Sequence, residues 1–510
     1  MKLNSFAVIG GGPGGLYAAR LLKISHPDAE VTVYEQGEPD KTFGFGVGLA
    51  SRTQRNLDDA DPDSLAEIIA VSWPHDMSMR VGADAARLAH GALLGVGRAT
   101  LLAVLARHAQ AAGVKLVFGD RRTDADVEAD LIVAADGINS AVRTRHADQL
   151  GVRIETGEGL YLWCGTDFAL PAAVFTPVTT EHGTFVAHAY PYAADRSTFL
   201  IETDDETWRR AGFDVTTQQT GPTDNDETSL HYLSEAFTEE LRGHRLIGNR
   251  TRWMRFRTVS CDHWYTGNVV LLGDAVHTAH YSIGSGTKLA MEDAIALDEA
   301  INDCDTLDDA LARYQARRRP DAEYLQGIAA RSMGWWESFD TRMKRPVNQL
   351  MINYMTRAGK VSLARFVDSA PDVARRGLAD YAGVDVEQVP GSVDAVEWVL
   401  SRPLTRADRT FADRRVAAEL ADELGAKVVD VDAALEWSTE ADQVVSGLAD
   451  AETAWLRGAS DRDSVLTRLA VAGRLSDTGS GLVVVEVPDA AADDAAAALA
   501  AGRVDLVQLT

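Results

Sequence analysis

The sequence predicts an α/β protein, α+β in part. Its parts are a Rossmann-like nucleotide-binding domain, an antiparallel sheet inserted into it, a helical segment and a small α/β C-terminal appendage. Three observations predict this. A short apolar run, Phe6 to Ile9, leads straight into Gly10-Gly11-Gly12-Pro13-Gly14-Gly15, and a second apolar run ends at Glu35. Two further apolar runs, 131–135 and 269–272, each end beside an aspartate next to a glycine, Asp136-Gly137 and Gly273-Asp274. Between them, from about 159 to 260, lie β-rich segments with aromatic residues and turn signals.

Taken in order, residues 5–9 and 31–35 read as buried strands, and Pro13 to Lys23 as the helix between them. Gly10 permits the tight turn, Gly12 lets the backbone approach a pyrophosphate, and Gly15 lets helix and strand pack closely. The helix that opens at Pro13 and Gly14 offers N–H groups and partial positive charge to phosphates. Glu35 can accept hydrogen bonds from a ribose. Residues 99–112 form a helix with Leu101, Leu102, Leu105 and His108 on one stripe. Strand 131–135 delivers Asp136 to a sheet end, and strand 269–272 delivers Asp274, where open α/β folds place ligands. Stretches 184–190 and 197–202 are strands of the inserted, mainly antiparallel sheet. The pattern from Gly286 to about Ala358 is helical.

Composition shifts near Pro371, and the remainder is rich in Ala, Asp and Val. Strand-like pieces occur at 427–431 and 482–487, and 489–501 reads as a helix. The expected domains are 1–158 with 261–370, 159–260, and 371–510.

Length and composition bound the function. The 510 residues, 46% apolar and 25% charged, suit a folded chain of several domains. The longest apolar runs are strand-sized, so no membrane span is expected. The N-terminal run passes directly into glycines, unlike a signal peptide. Cys164, Cys261 and Cys304 are widely spaced and form neither a disulfide framework nor a metal motif, which points to the cytoplasm. The net charge of −26 argues against nucleic acid and anionic membranes as partners.

The glycine fingerprint, the D-G motif and the G-D motif, in this order, resemble the FAD-dependent aromatic hydroxylases, the single-component flavoprotein monooxygenases, over about residues 1–360. The resemblance implies one noncovalent FAD, with Asp274 at its ribityl chain and Arg98, at a helix start, as a further contact. A narrower resemblance lies in 42–48, 187–191, 246–250 and 280–293. These stretches look like the salicylyl-CoA 5-hydroxylases and the monooxygenase half of 2-aminobenzoyl-CoA monooxygenase/reductase. Common aromatic hydroxylases carry Pro and Asn where this chain has Tyr281 and Lys288. The narrower likeness adds Gly46 and Val47 to the expected cofactor contacts, beside Asp136, Gly137 and Gly273. Ser285, Gly286, Thr287 and Lys288 lead into a helix whose N–H groups could stabilise negative charge on the reduced flavin. Lys288 adds to this or is a solvent-facing first-turn lysine.

The implied activity is hydroxylation of an aromatic CoA thioester with NAD(P)H and O2. No second glycine fingerprint exists for a resident nicotinamide, so NAD(P)H docks transiently. His188, Tyr190, His280 and Tyr281 are the catalytic candidates; each is otherwise a hydrogen-bonded structural residue. His277 is expected to be structural. The runs Arg250, Arg252, Arg255, Arg257 and Arg317 to Arg319 either hold phosphate or form a solvated charged face. In two-domain aryl-CoA relatives a flavin reductase barrel follows the monooxygenase. The ~140 residues left here fall short of the ~250 of such a barrel, so a catalytically silent remnant is expected. A natural-product flavin oxygenase or dioxygenase, for instance of the tropone or tropolone type acting on a ring-expanded CoA thioester, is the second reading. A non-catalytic flavin sensor is the third. A homodimer is compatible with all three.

Overall fold

The computed structural model describes residues 1–510 except 40, 41, 43, 50, 90–92, 285, 391–393, 407, 408, 479 and 480, and only the backbone at 51 and 52. Ser285, an expected cofactor contact, lies outside the described residues. The chain divides into one unit of residues 1–77 with 90–329 and another of 78–89 with 330–510. Residues 330–370, which composition joins to the nucleotide-binding part, belong to the second unit.

The first unit is built on a six-stranded sheet. Its order is Tyr265–Thr266, Val269–Leu271, Leu131–Ala134, Ser5–Ile9, Glu30–Glu35, Lys115–Phe118, and all but the first strand run parallel. The central strands are buried along nearly their whole length, as the strands of a parallel sheet are. From Ser5–Ile9 the chain moves first to Glu30–Glu35 on one side and returns to Leu131–Ala134 on the other. That reversal is a topological switch point, which opens a crevice beyond the carboxyl ends of the strands. The helix Pro13–Ser25 starts there, with proline in its first turn where no N–H is needed. A Cβ on Gly14 would lie 2.6 Å from Leu272 Cδ2 and 2.9 Å from Ala290 Cβ. Glycine therefore lets this helix lie against Gly286–Asp303. In Arg98–Ala112, Leu101 and Leu105 are fully buried, while His108 turns its ring to Glu67 at 2.7 Å.

A second sheet pairs Val152–Thr166, Arg196–Thr203, Gly183–Ala193 and Ala173–Thr180 antiparallel, with Met254–Cys261 on the other edge of Val152–Thr166. Alternation divides its residues. Leu160, Leu162, Cys164, Phe185, Ala187, Ala189, Phe199 and Ile201 face one core. Tyr161, Trp163, His188, Tyr190, Thr198 and Glu202 occupy the opposite face. The expected, mainly antiparallel sheet is present in 159–260, and helices join it. Residues 205–241 hold four helices, Asp205–Arg210, Phe213–Gln219, Glu227–Ala236 and Thr238–Leu241. Asp204 and Asp226 cap two of them by accepting from Thr207 N and Ser229 N. Phe213, Leu230, Leu233, Phe237 and Leu241 then cover the apolar underside of the sheet.

The second unit carries a four-stranded parallel sheet, Lys427–Asp430, Thr453–Arg457, Leu482–Val487 and Leu506–Leu509, in simple sequence order. The helices Thr439–Leu448, Arg462–Asp477 and Ala492–Ala500 form the crossovers. Among the described residues no helix is long and apolar enough to cross a membrane.

Candidate active site

The glycine loop has the geometry its spacing predicts. Gly10 adopts φ +107°, and a Cβ there would strike Ala135 O at 2.2 Å. A Cβ on Gly15 would strike Gly10 O at 2.1 Å. Gly12 differs, because a Cβ there meets nothing within 4 Å. Space is open beside it where the fingerprint brings a pyrophosphate. Glu35 accepts from Gly11 N at 2.7 Å and from Gly37 N at 2.6 Å, so it also fixes the loop. A carboxylate has lone pairs left for a ribose hydroxyl.

The D-G and G-D turns are clamped together by Arg143. Its guanidinium donates to Ile138 O at 2.6 Å and to Ala275 O at 2.9 Å. The sequence pattern gave no sign of this role for Arg143, because Ala275 lies far from it in the chain. Asp136 Oδ2 caps the next helix by accepting from Ala141 N at 2.7 Å, while its Oδ1 is buried with no hydrogen-bond partner. Beneath the G-D turn, Asp293 accepts from Gly273 N at 3.1 Å, faces His277 Nε2 at 2.8 Å and accepts from Arg318 Nε at 2.8 Å. Burial would raise the Asp293 carboxyl, but His277 and Arg318 outweigh it and hold the group below the usual carboxylate range. His277 thus supports the turn, and Arg318 is the one buried member of its arginine run.

Asp274 stays open to solvent from the crevice, yet protein crowds it on every other side, and that burial raises its carboxyl despite His277, Arg98 and Arg143. A Cβ on Gly286 would come within 4.0 Å of Asp274 Oδ1, so the N-terminus of Gly286–Asp303 opens toward the same space. Arg98 faces Asp274 electrostatically; its Nε is buried without a hydrogen-bond partner, and burial lowers its pKa. It lines a cavity of about 460 Å³ with Phe45, Thr100, Tyr192, Asn249 and Arg250. Asn249 donates to Thr42 O at 3.0 Å and Gly44 O at 2.9 Å, which joins two stretches singled out in the sequence. Gly46 pairs with Gly97 across an antiparallel ladder that also carries Val47. Lys288 is neither solvent-facing nor free: its Nζ lies 3.5 Å from Glu292 Oε1.

The four catalytic candidates separate into three and one. His188, His280 and Tyr281 meet: the Tyr281 ring lies 4.0 Å from that of His280 and 6.2 Å from that of His188. Tyr161, Phe175 and Phe256 wall this group, at 4.9 Å from Tyr281, 5.2 Å from His188 and 4.9 Å from His280. Tyr190 shares the strand face of His188 but donates its hydroxyl to Gly46 O at 2.7 Å and stacks on His75. Burial raises it to about 12. Sequence reasoning missed Glu202, whose Oε2 is 3.2 Å from His188 Nε2. Its signal was a lone carboxylate in the apolar run 197–202.

Open space at Gly12 and two buried atoms without protein partners, Arg98 Nε and Asp136 Oδ1, fit a bound FAD. Known proteins agree. The FAD binding domain family matches residues 89–326. Salicyloyl-CoA 5-hydroxylase of a Streptomyces species is 41% identical over 374 residues, 71% of this chain and 72% of that one. The 3-hydroxy-4-methyl-anthranilyl-(aryl-carrier protein) 5-monooxygenase of Streptosporangium sibiricum is 37% identical, covering 70% of this chain and 94% of its own. Among solved structures, 2-methyl-3-hydroxypyridine-5-carboxylic acid oxygenase shares the fold with a TM-score of 0.53 at 19% identity, over 73% of this chain and 97% of that one.

Proposed function

Because this chain belongs to the single-component FAD-dependent aromatic monooxygenases, we propose that it hydroxylates an aromatic acyl thioester whose ring carries a hydroxyl or amino group. The overall balance is ArH + O2 + NAD(P)H + H⁺ giving ArOH + H2O + NAD(P)⁺. One observation carries the reading: His188, on the sheet face, meets the 280–281 loop that runs into the helix opening beside Asp274.

When bound, FAD supplies the redox chemistry that couples NAD(P)H oxidation to O2 activation. Gly12 and the N-terminus of Pro13–Ser25 hold its pyrophosphate, Glu35 a ribose, and Asp274 and Arg98 the ribityl region. The amides at Gly286 and Thr287 favour negative charge at the flavin end of the crevice. Tyr161, Phe175 and Phe256 wall the ring site and exclude water. His188 takes a proton from the ring substituent, which enriches the ring for oxygenation.

Arg250 supports a thioester over a free acid. It lines the cavity, and among the described residues no carboxylate pairs with it, whereas Arg255 pairs with Asp205 and Arg257 donates to the Asn139 amide oxygen at 2.8 Å. A guanidinium so placed suits phosphate. Relatives named for CoA and for an aryl-carrier protein set the panel: salicyloyl-CoA, 2-aminobenzoyl-CoA, their carrier-protein thioesters and the free acids. NAD(P)H oxidation with mass analysis of products is the test. Thioesters should stimulate oxidation and gain one oxygen atom, with KM rising with salt. Equal turnover of free acids would overturn the thioester reading, and a gain of two oxygen atoms would make the enzyme a dioxygenase.

A further inference from the structure

Glu202 is a carboxylate only 8% exposed, set on the sheet face that also carries Tyr161 and His188. Strand register explains its reach. Glu202 stands opposite Tyr161 on one neighbour and Val186 on the other, and His188 stands opposite Leu200, one residue pair along the same face. That diagonal brings His188 Nε2 to 3.2 Å from Glu202 Oε2. The Tyr281 hydroxyl hydrogen-bonds the same carboxylate from the 280–284 loop, and His280 adds charge from there. The second oxygen, Oε1, is buried without a hydrogen-bond partner. The titratable groups facing Glu202 are therefore His188 and Tyr161 from its two neighbouring strands, and His280 and Tyr281 from the loop.

We propose that Glu202 is the positioning residue of the ring site, tying His188 on the sheet to Tyr281 on the cofactor loop and stabilising the charge His188 acquires when it takes the substrate's proton. This rests on the proposed hydroxylation. In that step the substituent's O–H or N–H bond breaks, an N–H bond forms on the imidazole, and the freed electron pair stays on the substrate. A carboxylate beside the imidazole favours its charged form. Burying a carboxylate is costly on its own, and desolvation acts to raise Glu202, yet His188, His280 and Tyr281 hold it below the usual range. The carboxylate is thus ionised before substrate arrives, and it ties loop to sheet in one relative placement.

Two measurements on the FAD-loaded full chain test this. The first needs no substrate. Removing the imidazole should leave burial dominant, so His188→Gln should show a new protonated-carboxyl infrared band at neutral pH that vanishes in the His188→Gln, Glu202→Gln double variant. The second uses salicyloyl-CoA. Glu202→Gln should keep its FAD, lower kcat about 10- to 100-fold with little change in KM, and move the acid limb of the rate profile to lower pH. Tyr281→Phe, which deletes only one hydrogen bond, should lower kcat less and raise the share of NAD(P)H oxidised without product. No infrared band in His188→Gln, or a Glu202→Gln profile and kcat equal to wild type, overturns the proposal. Should salicyloyl-CoA fail with the wild type, the substrate reading fails, and the infrared arm still decides the role of Glu202.

Discussion

Two parallel sheets with helical crossovers occur among the described residues, and they differ at the strand ends where open α/β folds place a ligand. In the first unit the strand order reverses at Ser5–Ile9; in the second the four strands follow one another without reversal. The first strand of the first unit runs into three consecutive glycines, Gly10 to Gly12, whereas Lys427–Asp430 runs into Val431 and Asp432. Buried arginines differ in the same sense. Arg318, 5% exposed, bonds Asp293, which holds the G-D turn. Arg503, 7% exposed, has no hydrogen bond or ion pair through its guanidinium among the described residues, and its Nε is buried without a partner. The same local grammar of strand, turn and helix serves both sheets. Function follows from the switch point, the glycines and the paired charges, not from the grammar.

The largest expected effect separates the glycines from one another. Gly12→Val adds atoms where the protein leaves open space, so the fold should survive and the FAD should go. Absorbance should show FAD per chain falling at least about tenfold, with the melting curve of the second unit unmoved. Gly10→Val, by contrast, should fail to fold, since φ +107° and Ala135 O at 2.2 Å both oppose it. Full FAD in Gly12→Val would mean the pyrophosphate runs elsewhere.

Arg318→Met should cost about 3–5 kcal/mol, because it leaves Asp293 ionised and buried with one partner fewer. FAD affinity should fall with it, through loss of the Gly273 anchor. The pH dependence has a definite sign. Asp293 is held below its unfolded value, so its contribution is complete above about pH 4 and is lost as pH falls through the lowered native value. Acid melts of wild type and Asp293→Asn should therefore converge at low pH. Parallel curves would show that this network does not stabilise the first unit.

Asp274→Ala should weaken FAD binding about 10- to 100-fold while the fold survives, since it removes one charged acceptor and also a carboxylate that burial already disfavours. Titration of stripped protein with FAD measures this. Asp274 was legible in the sequence because strand, glycine and aspartate are adjacent there. The turn at Gly10, the close packing at Gly15 and the open space at Gly12 were legible for the same reason. Arg143, Asp293 with Arg318, and Glu202 with His188 were not. Each has a partner 14 or more residues away in the chain, and that partner is set by strand register or helix packing, which local pattern does not encode. The helices of 205–241 were hidden differently: their caps, Asp204 and Asp226, also read as turn residues, and the surrounding strands weighted that reading.

The smallest effect is expected at Arg503, and it sharpens the comparison most. Burial lowers this guanidinium to about 10, with Glu436 and Asp494 acting to raise it and Arg342 and Arg345 acting with burial. The folded state thus binds its proton less tightly than the unfolded chain, so stability should rise as pH climbs through about 10. Methionine fills similar space without a charge to desolvate. Arg503→Met should therefore leave stability within about 1 kcal/mol of wild type, on the stabilising side, and flatten the alkaline rise. FAD content should stay unchanged. The same arginine-to-methionine change would then be severe beneath the cofactor turn and mild in the C-terminal sheet. A loss at Arg503 as large as that at Arg318 would show that the second unit, too, depends on a paired buried charge, with Glu436 as the carboxylate to replace next.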